Sequence, residues 1–374
     1  MKELGLYVHV PYCKSKCKYC DFNSYMGCEK SMDKYFSCLC QEIKIFAPTF
    51  KDYTVTTVYI GGGTPSYVDA KYIKDILSTI KAQFSLSETA EISMEANPNS
   101  VSLEKAVIWH NAGVNRISVG LQAVSKRLLK TIGRIHTLKD YKNAIKSLKT
   151  AGFTNINTDL MLGLPNQRIS DVCKAIKIAT KNSTHISAYS LIVEDGTPMK
   201  KLIEEGVLKL PSEENTIEMY DIAYDKLKKA GFNRYEVSNF AKSGYECKHN
   251  LNCWSYLPYI GFGAGAHSFV ENKRCENETS IYDYIDKMET GDPTKEKITL
   301  TRDEQLEEYI MLGLRKEEGI SPKEMKQLFK YDILKAKNKE IQKLSKVGLI
   351  SVSDRISATE MGFFVLNRII LELT

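Results

Sequence analysis

A short sequence pattern occurs three times in this chain, and each time a predicted helix gives way to a predicted strand. Residues 112–116 read AGVNR, residues 151–155 read AGFTN and residues 230–234 read AGFNR. Glycine is typical of a helix C-terminus, because it readily adopts the left-handed conformation that ends a helix. The first two copies lie 39 residues apart and the last two 79, so one further unit fits the longer interval. Helices and strands that alternate at such a period predict parallel βα units with right-handed crossovers.

The strands of these units are six short apolar or β-branched runs, near residues 6, 58, 93, 117, 158 and 188. Six units predict an α/β fold, a partial (β/α)6 barrel that resembles a TIM barrel but stays open on one side. In such barrels, ligands bind at the C-terminal ends of the strands. The polar positions at those ends are the first cysteine loop, Gly61–Thr64, Glu95, Gln122, Asp159 and Tyr189. Since buried carboxylates without partners are uncommon, the set predicts a ligand site.

The length and composition of the chain are typical of a globular protein with more than one domain. The chain has 374 residues, of which 43% are hydrophobic and 26% charged. We expect the barrel to span residues 1–237, an irregular connecting region to span 238–300, and a small α-rich, winged-helix-like domain to span 301–374. The net charge of +6 comes with lysines spread over predicted helices such as 138–149 and 322–347. This spread indicates solvated helix faces rather than a nucleic-acid-binding surface.

No stretch has the length and apolar character of a transmembrane helix, and the sequence begins with a strand-like run rather than a signal peptide. We therefore expect a cytoplasmic protein whose ten cysteines are kept reduced. Cys38 and Cys40 fall in a predicted helix and are interpreted as small core or surface residues rather than ligands.

Three cysteines follow directly after the first predicted strand. Cys13, Cys17 and Cys20 have three and then two residues between them, and thiolates so close in sequence can converge on one metal centre. A structural zinc site usually has four ligands in two pairs, and no second CxxC pair follows. A disulfide suits a secreted protein, which nothing else in the sequence indicates. The spacing favours an iron–sulfur cluster with three cysteine ligands and one open iron.

The second predicted strand ends at the sequence GGGTP, residues 61–65, before a predicted helix. Glycines there allow backbone N–H groups to approach a ligand closely. A triple glycine alone is more often a plain tight turn, and no Lys-Ser or Lys-Thr pair follows as it would in a P-loop. The ligand interpretation of this turn therefore depends on the other motifs.

Taken in order, these motifs resemble those of a known family. The segments LYVHVPYCKSKCKYCDFNSY, GGGTPS, SMEANP, RISVGLQA, GRIH and NTDLMLGLPNQ are similar to those of the oxygen-independent coproporphyrinogen oxidases, which are radical S-adenosylmethionine (SAM) proteins. Within this family the chain is more similar to the heme-chaperone branch. The oxidases carry a fourth cysteine where this chain has Phe22, and a longer N-terminal arm than the twelve residues before Cys13 allow.

The resemblance implies that Cys13, Cys17 and Cys20 ligate a [4Fe–4S] cluster whose remaining iron is chelated by SAM. It also implies a set of residues around the cluster and SAM: Tyr7, Tyr19, Gly62, Gly63, Thr64, Glu95, Gln122, Arg134 and Asp159. These residue types suit SAM, because an ammonium group requires acceptors, a carboxylate requires an arginine or backbone donors, and ribose hydroxyls pair with Asp or Gln. No catalytic side chain is assigned.

The heme-chaperone branch carries an HNxxYW motif associated with heme binding. Here residues 249–254 read HNLNCW, so Cys253 replaces the tyrosine. The resemblance implies heme binding with His249 as the axial ligand, since histidine is a common ligand of heme iron. Two alternatives stay open: a thiolate ligand from Cys247 or Cys253, and a packed loop in which His249 and Trp254 are ordinary members.

We therefore expect a heme chaperone that binds a [4Fe–4S] cluster, SAM and heme and transfers heme to an acceptor protein. The alternative is a radical SAM enzyme that oxidatively decarboxylates a porphyrinogen, with the cofactor supplying the radical and the barrel excluding water. Phe22 and the short N-terminal arm disfavour the oxidase. The resemblance is also compatible with a homodimer linked to the cluster.

Overall fold

The computed structural model describes residues 2–374 and confirms a partial barrel of parallel βα units. Six parallel strands pair in sequence order, each with the next. The elements of this part are β1 (Lys2–Val10), α1 (Met32–Phe46), β2 (Tyr53–Gly62), α2 (Ala70–Gln83), β3 (Leu86–Ala96), α3 (Leu103–Ala112), β4 (Arg116–Gln122), α4 (Lys126–Thr131), α5 (Leu138–Thr150), β5 (Asn155–Leu162), α6 (Ile169–Asn182) and β6 (His185–Ser190). Short 3-10 helices lie at Glu29–Ser31, Ala47–Phe50 and Pro98–Ser100.

The sheet continues beyond the barrel strands on both sides. Its further elements are α7 (Pro198–Glu204), α8 (Glu213–Lys229), β7 (Asn233–Arg234), β8 (Asn239–Ala241), α9 (Lys248–Trp254), β9 (Tyr259–Phe262), β10 (His267–Val270), β11 (Lys273–Asn277), α10 (Ile281–Lys287) and β12 (Thr294–Thr299). The strand order is β12-β11-β10-β9-β1-β2-β3-β4-β5-β6-β8-β7. Strand β9 pairs parallel with β1, whereas β10, β11 and β12 follow antiparallel.

The expectation of an irregular segment at residues 238–300 differs from this structure, because the segment supplies five strands and two helices. These strands are three to six residues long, and β12 has hardly any buried side chain. Elements so short are below the length over which a hydrophobic period predicts a strand.

The glycines of the three repeats end helices as predicted. The φ angles of Gly113, Gly152 and Gly231 are 106°, 105° and 81°, which places all three in the left-handed region. The third repeat differs in the strand that follows, because β7 has only two residues and pairs antiparallel with β8. It therefore lies at the edge of the sheet rather than in the barrel.

The C-terminal part forms a separate small core, which confirms the expected α-rich, winged-helix-like appendage. Its elements are α11 (Arg302–Gly313), α12 (Pro322–Phe329), α13 (Ile333–Ala336), α14 (Asn338–Lys346), β13 (Ile350–Val352), β14 (Ile356–Ala358), α15 (Glu360–Phe364) and α16 (Leu366–Leu373). Strands β13 and β14 form an antiparallel pair, and Ile356 of β14 also bridges to Ile320. In residues 2–374, no helix is long and apolar enough to cross a membrane.

The interior of the barrel is polar, and β4 shows why. The strand is buried along its whole length, as expected for a parallel strand covered on both faces. Its aliphatic residues belong to the hydrophobic core, whereas Arg116, Ser118 and Gln122 line the interior. The side-chain alternation of a strand thus separates a hydrophobic layer under the helices from a polar lumen.

Candidate cluster and cofactor site

A cavity of about 490 Å³ runs from the cysteine loop into the polar interior of the barrel. Cys13, Cys17 and Cys20 line it on the loop that follows β1, and Arg116 lines it at the start of β4. Asn250, from α9, also contributes to its wall. One cavity therefore joins the cysteine motif to the helix that carries the HNLNCW sequence.

Every predicted site residue except Tyr7 and His249 lines this cavity. These residues are Cys13, Cys17, Tyr19, Cys20, Gly62, Gly63, Thr64, Glu95, Gln122, Arg134 and Asp159. They come from the loop after β1 and from the C-terminal ends of β2 to β5 or the segments that follow them. The strand-end rule of parallel barrels accounts for their proximity.

The cysteine loop is anchored at both of its ends. The backbone N–H of Cys13 donates to the carbonyl of Tyr25 at 2.9 Å, and the ring of His9 hydrogen bonds through Nε2 to the carbonyl of Asn23 at 2.8 Å. The Sγ of Cys13 lies 3.3 Å from Oγ1 of Thr64, which belongs to the glycine turn. The loop therefore presents its thiols from a fixed backbone directly against that turn.

The three cysteines are free, and their environment suits a cluster. Burial raises the pKa of the Cys13 and Cys20 thiols, a cost that a bound iron centre offsets because cysteine binds metals as the thiolate. Within residues 2–374, no three His, Cys, Asp or Glu side chains are placed to hold a single metal ion. A cluster does not require such a convergence, since each cysteine can bind a different iron atom.

The glycine turn packs against the cysteine loop too closely for side chains. A Cβ on Gly62, whose φ is 111°, would lie 2.6 Å from Cε1 of His9, and a Cβ on Gly63 would lie 2.8 Å from the carbonyl oxygen of Tyr12. The N–H of Gly63 donates to the carbonyl of Val10 at 2.8 Å. The glycines are therefore required by this contact, and they also bring main-chain atoms to the wall of the cavity.

Two carboxylates face the cavity, Glu95 from β3 and Asp159 from β5. Oε1 of Glu95 accepts a hydrogen bond from the hydroxyl of Tyr59 at 2.9 Å, and Oε2 accepts one from the N–H of Gly62 at 3.3 Å. Burial, reinforced by the charge of Asp159, raises the pKa of Glu95 to about 7. Asp159 accepts a hydrogen bond from Nδ2 of Asn157 at 2.6 Å. A cavity with two fixed acceptors of this kind suits a ligand with cationic or hydroxyl groups.

Arg134 supplies the opposite charge. Its guanidinium donates to Oδ1 of Asn97, while its buried Nε has no hydrogen-bond partner. Nearby, Oε1 of Gln122 accepts a hydrogen bond from the hydroxyl of Tyr189 at 3.0 Å, and Gln122 has a φ of 60°, which is rare outside glycine. An unpartnered arginine donor and a glutamine in a strained conformation are both typical of ligand sites.

The structure places Tyr7 behind the cavity wall rather than in it. Its hydroxyl hydrogen bonds with Nδ1 of His9 at 2.9 Å, and its ring stacks on that of Tyr59 at a centroid distance of 6.4 Å. Burial raises the pKa of Tyr7. Tyr7 therefore supports Tyr59, which lines the cavity in its place.

His249 is buried beneath the same tyrosine. Nδ1 of His249 hydrogen bonds with Oγ1 of Thr57 at 2.9 Å, and the imidazole stacks on Tyr59 at a centroid distance of 5.1 Å. Burial lowers the pKa of His249 to about 4, so the ring is neutral. In this arrangement only 6% of the residue is exposed, and it does not fit an open ligand position for heme iron.

Helix α9 itself is fastened to the barrel by Glu91 of β3. The carboxylate of Glu91 accepts hydrogen bonds from the N–H groups of Lys248 and His249, at 3.0 and 3.3 Å, and from the thiol of Cys247 at 3.4 Å. A carboxylate at a helix N-terminus is favourable, because it meets unpaired N–H groups and the positive end of the dipole. Burial raises the pKa of Cys247 to about 12 and that of Cys253 to about 11, so both are neutral thiols in this state.

Several cavity residues were not predicted from the sequence. They are Tyr59, Asn97, Arg116, Ser118, Asn157, Ser187, Asn239 and Asn250. Most lie inside strands rather than at their C-terminal ends. The alternation of polar and aliphatic residues along β4 is the signal that could have identified part of this set.

Comparison with known proteins agrees with this geometry. The model of the radical SAM superfamily matches residues 7–179, and that of the HemN C-terminal domain matches residues 300–365. The chain is 38% identical over 368 residues to the heme chaperone HemW of Bacillus subtilis, covering 97% of both proteins. It is 36% identical to HemW of Lactococcus lactis, covering 98% of this chain and 96% of the relative. With HemW of Escherichia coli the identity is 38%, over 72% of this chain and 71% of the relative.

A solved structure supports the fold. The coproporphyrinogen III oxidase HemN of Escherichia coli, described as a radical SAM enzyme, matches with a TM-score of 0.86, covering 100% of this chain and 90% of that chain at 22% identity. The partial barrel and its cysteine-lined cavity define a radical SAM protein, a class that implies a [4Fe–4S] cluster and SAM. Within that superfamily the chain belongs to the HemW family of heme chaperones, which confirms the resemblance read from the motifs.

Proposed function

We propose that this protein is a heme chaperone that binds a [4Fe–4S] cluster, SAM and heme and passes the heme to an acceptor protein. The observation that carries the proposal is the cavity that the three cysteines share with Glu95 and Arg134. It occurs in a chain that is similar to heme chaperones over nearly its whole length. Heme is the cargo in this proposal, and the cluster and SAM are the resident groups.

The residues that line the cavity fall into groups according to the part of the cluster or of SAM that each would bind. Cys13, Cys17 and Cys20 would each ligate one iron, which leaves the fourth iron for SAM. Glu95 suits the ammonium group of SAM, and Arg134 suits its carboxylate through a charge-assisted hydrogen bond. The remaining members, which would contact the rest of the cofactor, are Tyr19, Gly62, Gly63, Thr64, Gln122 and Asp159. When bound, the cluster supplies an open iron and a source of electrons.

His249 is proposed as a heme ligand only for a state in which α9 has left the barrel. In the arrangement described, Thr57 holds its Nδ1 and Glu91 holds its backbone N–H. An axial ligand needs a ring nitrogen that can reach the iron. Because only 6% of His249 is exposed, heme binding through its ring requires that α9 move away from Thr57 and Glu91.

The proposal is tested by offering two substrates to the reconstituted protein. The cluster is assembled anaerobically, and SAM is added with heme in one sample and with coproporphyrinogen III in the other. We expect heme to bind and to pass to apomyoglobin, used as a heme-accepting probe, without turnover of the porphyrinogen. Decarboxylated product with consumption of SAM would instead support the radical SAM oxidase.

The cluster ligands are tested in the same preparation. We expect Cys17→Ser to abolish the visible absorbance of the reconstituted cluster, since one of three thiolates is lost. Cys173→Ser is the matched control, because Cys173 lies on α6 outside the cavity lining. An unchanged spectrum for Cys17→Ser would refute the ligand assignment.

A further inference from the structure

A buried arginine lies in the cavity away from the cysteine loop, and the proposed cluster and SAM site does not use it. Arg116 opens β4 and is 2% exposed. It lines the cavity with Asn157 and Asn239, and its Nε has no hydrogen-bond partner. A buried guanidinium is costly unless anions or acceptors compensate its charge.

The nearby acidic groups compensate this charge only in part. Burial opposes the charge of Arg116, and the neighbouring acidic groups that favour the charge are Cys247 and Glu91. The thiol of Cys247 is neutral, with a pKa of about 12. Glu91 already accepts hydrogen bonds from Ser93, Cys247 and the first N–H groups of α9. Its carboxylate therefore fastens α9 and is not free to pair closely with Arg116.

A second buried group in the same wall also lacks a partner. Asn239 is 8% exposed, and its Oδ1 has no hydrogen-bond partner. This amide oxygen is therefore a buried acceptor without a donor. Asn157, which lines the same cavity, does not donate to Oδ1 of Asn239, because its Nδ2 already donates to Ser118, Asp159 and Ser187.

We propose that the part of the cavity lined by Arg116 and Asn239 binds a small carboxylate that carries a hydroxyl or amino group beside its carboxyl group. Arg116 pairs with the carboxylate, for which a planar guanidinium is well suited. Oδ1 of Asn239 accepts a hydrogen bond from the neighbouring hydroxyl or amino group. The ligand is small because the cavity has about 490 Å³ to share with SAM. This site goes beyond the proposed function, and the size of its ligand rests on SAM occupying the rest of the cavity.

The test uses the reconstituted protein saturated with SAM and three probes: L-lactate, glycine and acetate. Binding is followed by saturation-transfer NMR of the probe. We expect lactate or glycine to bind at least about tenfold more tightly than acetate, since each adds one hydrogen bond to a buried acceptor. We expect Arg116→Gln to abolish binding of all three. Arg127→Gln is the matched control, because Arg127 is a half-exposed arginine paired with Asp171 on the surface.

A second variant keeps the proposal testable if Arg116→Gln does not fold. Asn239→Ala should retain acetate binding and lose the preference for lactate or glycine. The proposal is overturned if no probe binds saturably to the wild-type protein, if Arg116→Gln binds as the wild type does, or if Asn239→Ala keeps the preference. Heme uptake is measured in parallel, so that failure of this site is distinguished from failure of the chaperone function.

Discussion

Glu95 is the residue whose ionisation decides how well the cavity holds a cation. Its pKa is raised to about 7 by burial and by Asp159, against the opposing effects of Tyr59, Gly62 and Arg134. Below that pH the carboxyl group is protonated and cannot pair with an ammonium group, so the affinity for SAM should fall as the pH drops through 7. We expect a loss of up to about tenfold between about pH 7.5 and pH 6, measured by equilibrium dialysis of the reconstituted protein.

Two variants separate this effect from a general response to pH. Glu95→Gln should bind SAM more weakly than the wild type at pH 7.5 and with little dependence on pH. Glu88→Gln removes an exposed carboxylate from the same strand and should behave as the wild type. If Glu95→Gln kept the full pH dependence, another group would be responsible.

At the scale of single residues, the sequence predicts the parts of the cavity that lie at strand ends. The cysteines, the glycine turn, Glu95 and Asp159 could be placed together because parallel strands end on one face. Whether Tyr7 or Tyr59 faces the cavity could not be predicted, because both lie inside neighbouring strands and stack on each other. Which of the two rings lines the cavity is determined by three-dimensional packing.

At the scale of elements, the attachment of α9 to the barrel depends on Glu91. Glu91 accepts hydrogen bonds from its first two N–H groups, and it is 6% exposed. Glu91→Gln removes the charge and places an amide donor beside backbone donors, so we expect a loss of about 1–3 kcal/mol in the free energy of unfolding. Urea denaturation followed by circular dichroism measures it, with Glu88→Gln as the exposed control. Equal stability of the two variants would contradict the assigned role of Glu91.

If His249 binds heme iron, helix α9 must move away from the barrel. The helix must separate from Thr57 and Glu91 before the imidazole reaches a metal. We therefore expect heme to increase amide hydrogen exchange in residues 248–254, since exchange reports the opening of hydrogen-bonded helices. Increased amide exchange only in another element, for example in α12, would not support movement of α9. Saturable heme binding with unchanged exchange in this helix would rule out His249 as the ligand.

The secondary-structure elements differ in how well the sequence predicts them. The six barrel strands have clear apolar patterns, and the sequence predicts all six. Helix α9 and strands β8 to β12 are three to seven residues long. Two of these elements are held by barrel strands that are distant in sequence, since β9 pairs with β1 and α9 is fastened by Glu91 of β3. Local pattern carries little information about elements whose partners lie 150 or more residues away, as Glu91 and Lys248 do.

For the whole molecule, the question is how the C-terminal core is attached to the barrel. Residues 235–237 exchange backbone hydrogen bonds with residues 315–317: Val237 N–H donates to the carbonyl of Arg315 at 2.8 Å, and Glu317 N–H donates to that of Tyr235 at 3.1 Å. The side chain of Lys316, 5% exposed, donates to Ser255. The sequence predicted an appended helical domain but could not indicate this contact, because it joins two short irregular segments.

Arg234 is one of the side chains that link the two cores. Its Nε donates to Glu317, its guanidinium carbon lies 3.7 Å from the ring centroid of Phe363, and its side chain is 2% exposed. Arg234→Lys keeps the charge but loses the planar stacking and the fixed donor geometry. We expect a loss of about 1–3 kcal/mol in the free energy of unfolding and faster proteolytic release of the segment after residue 300. Arg368→Lys, at a 72% exposed side chain paired with Glu372, should change stability by less than about 0.5 kcal/mol. If both variants lost the same stability, the two cores would be held together by the backbone pairing rather than by Arg234.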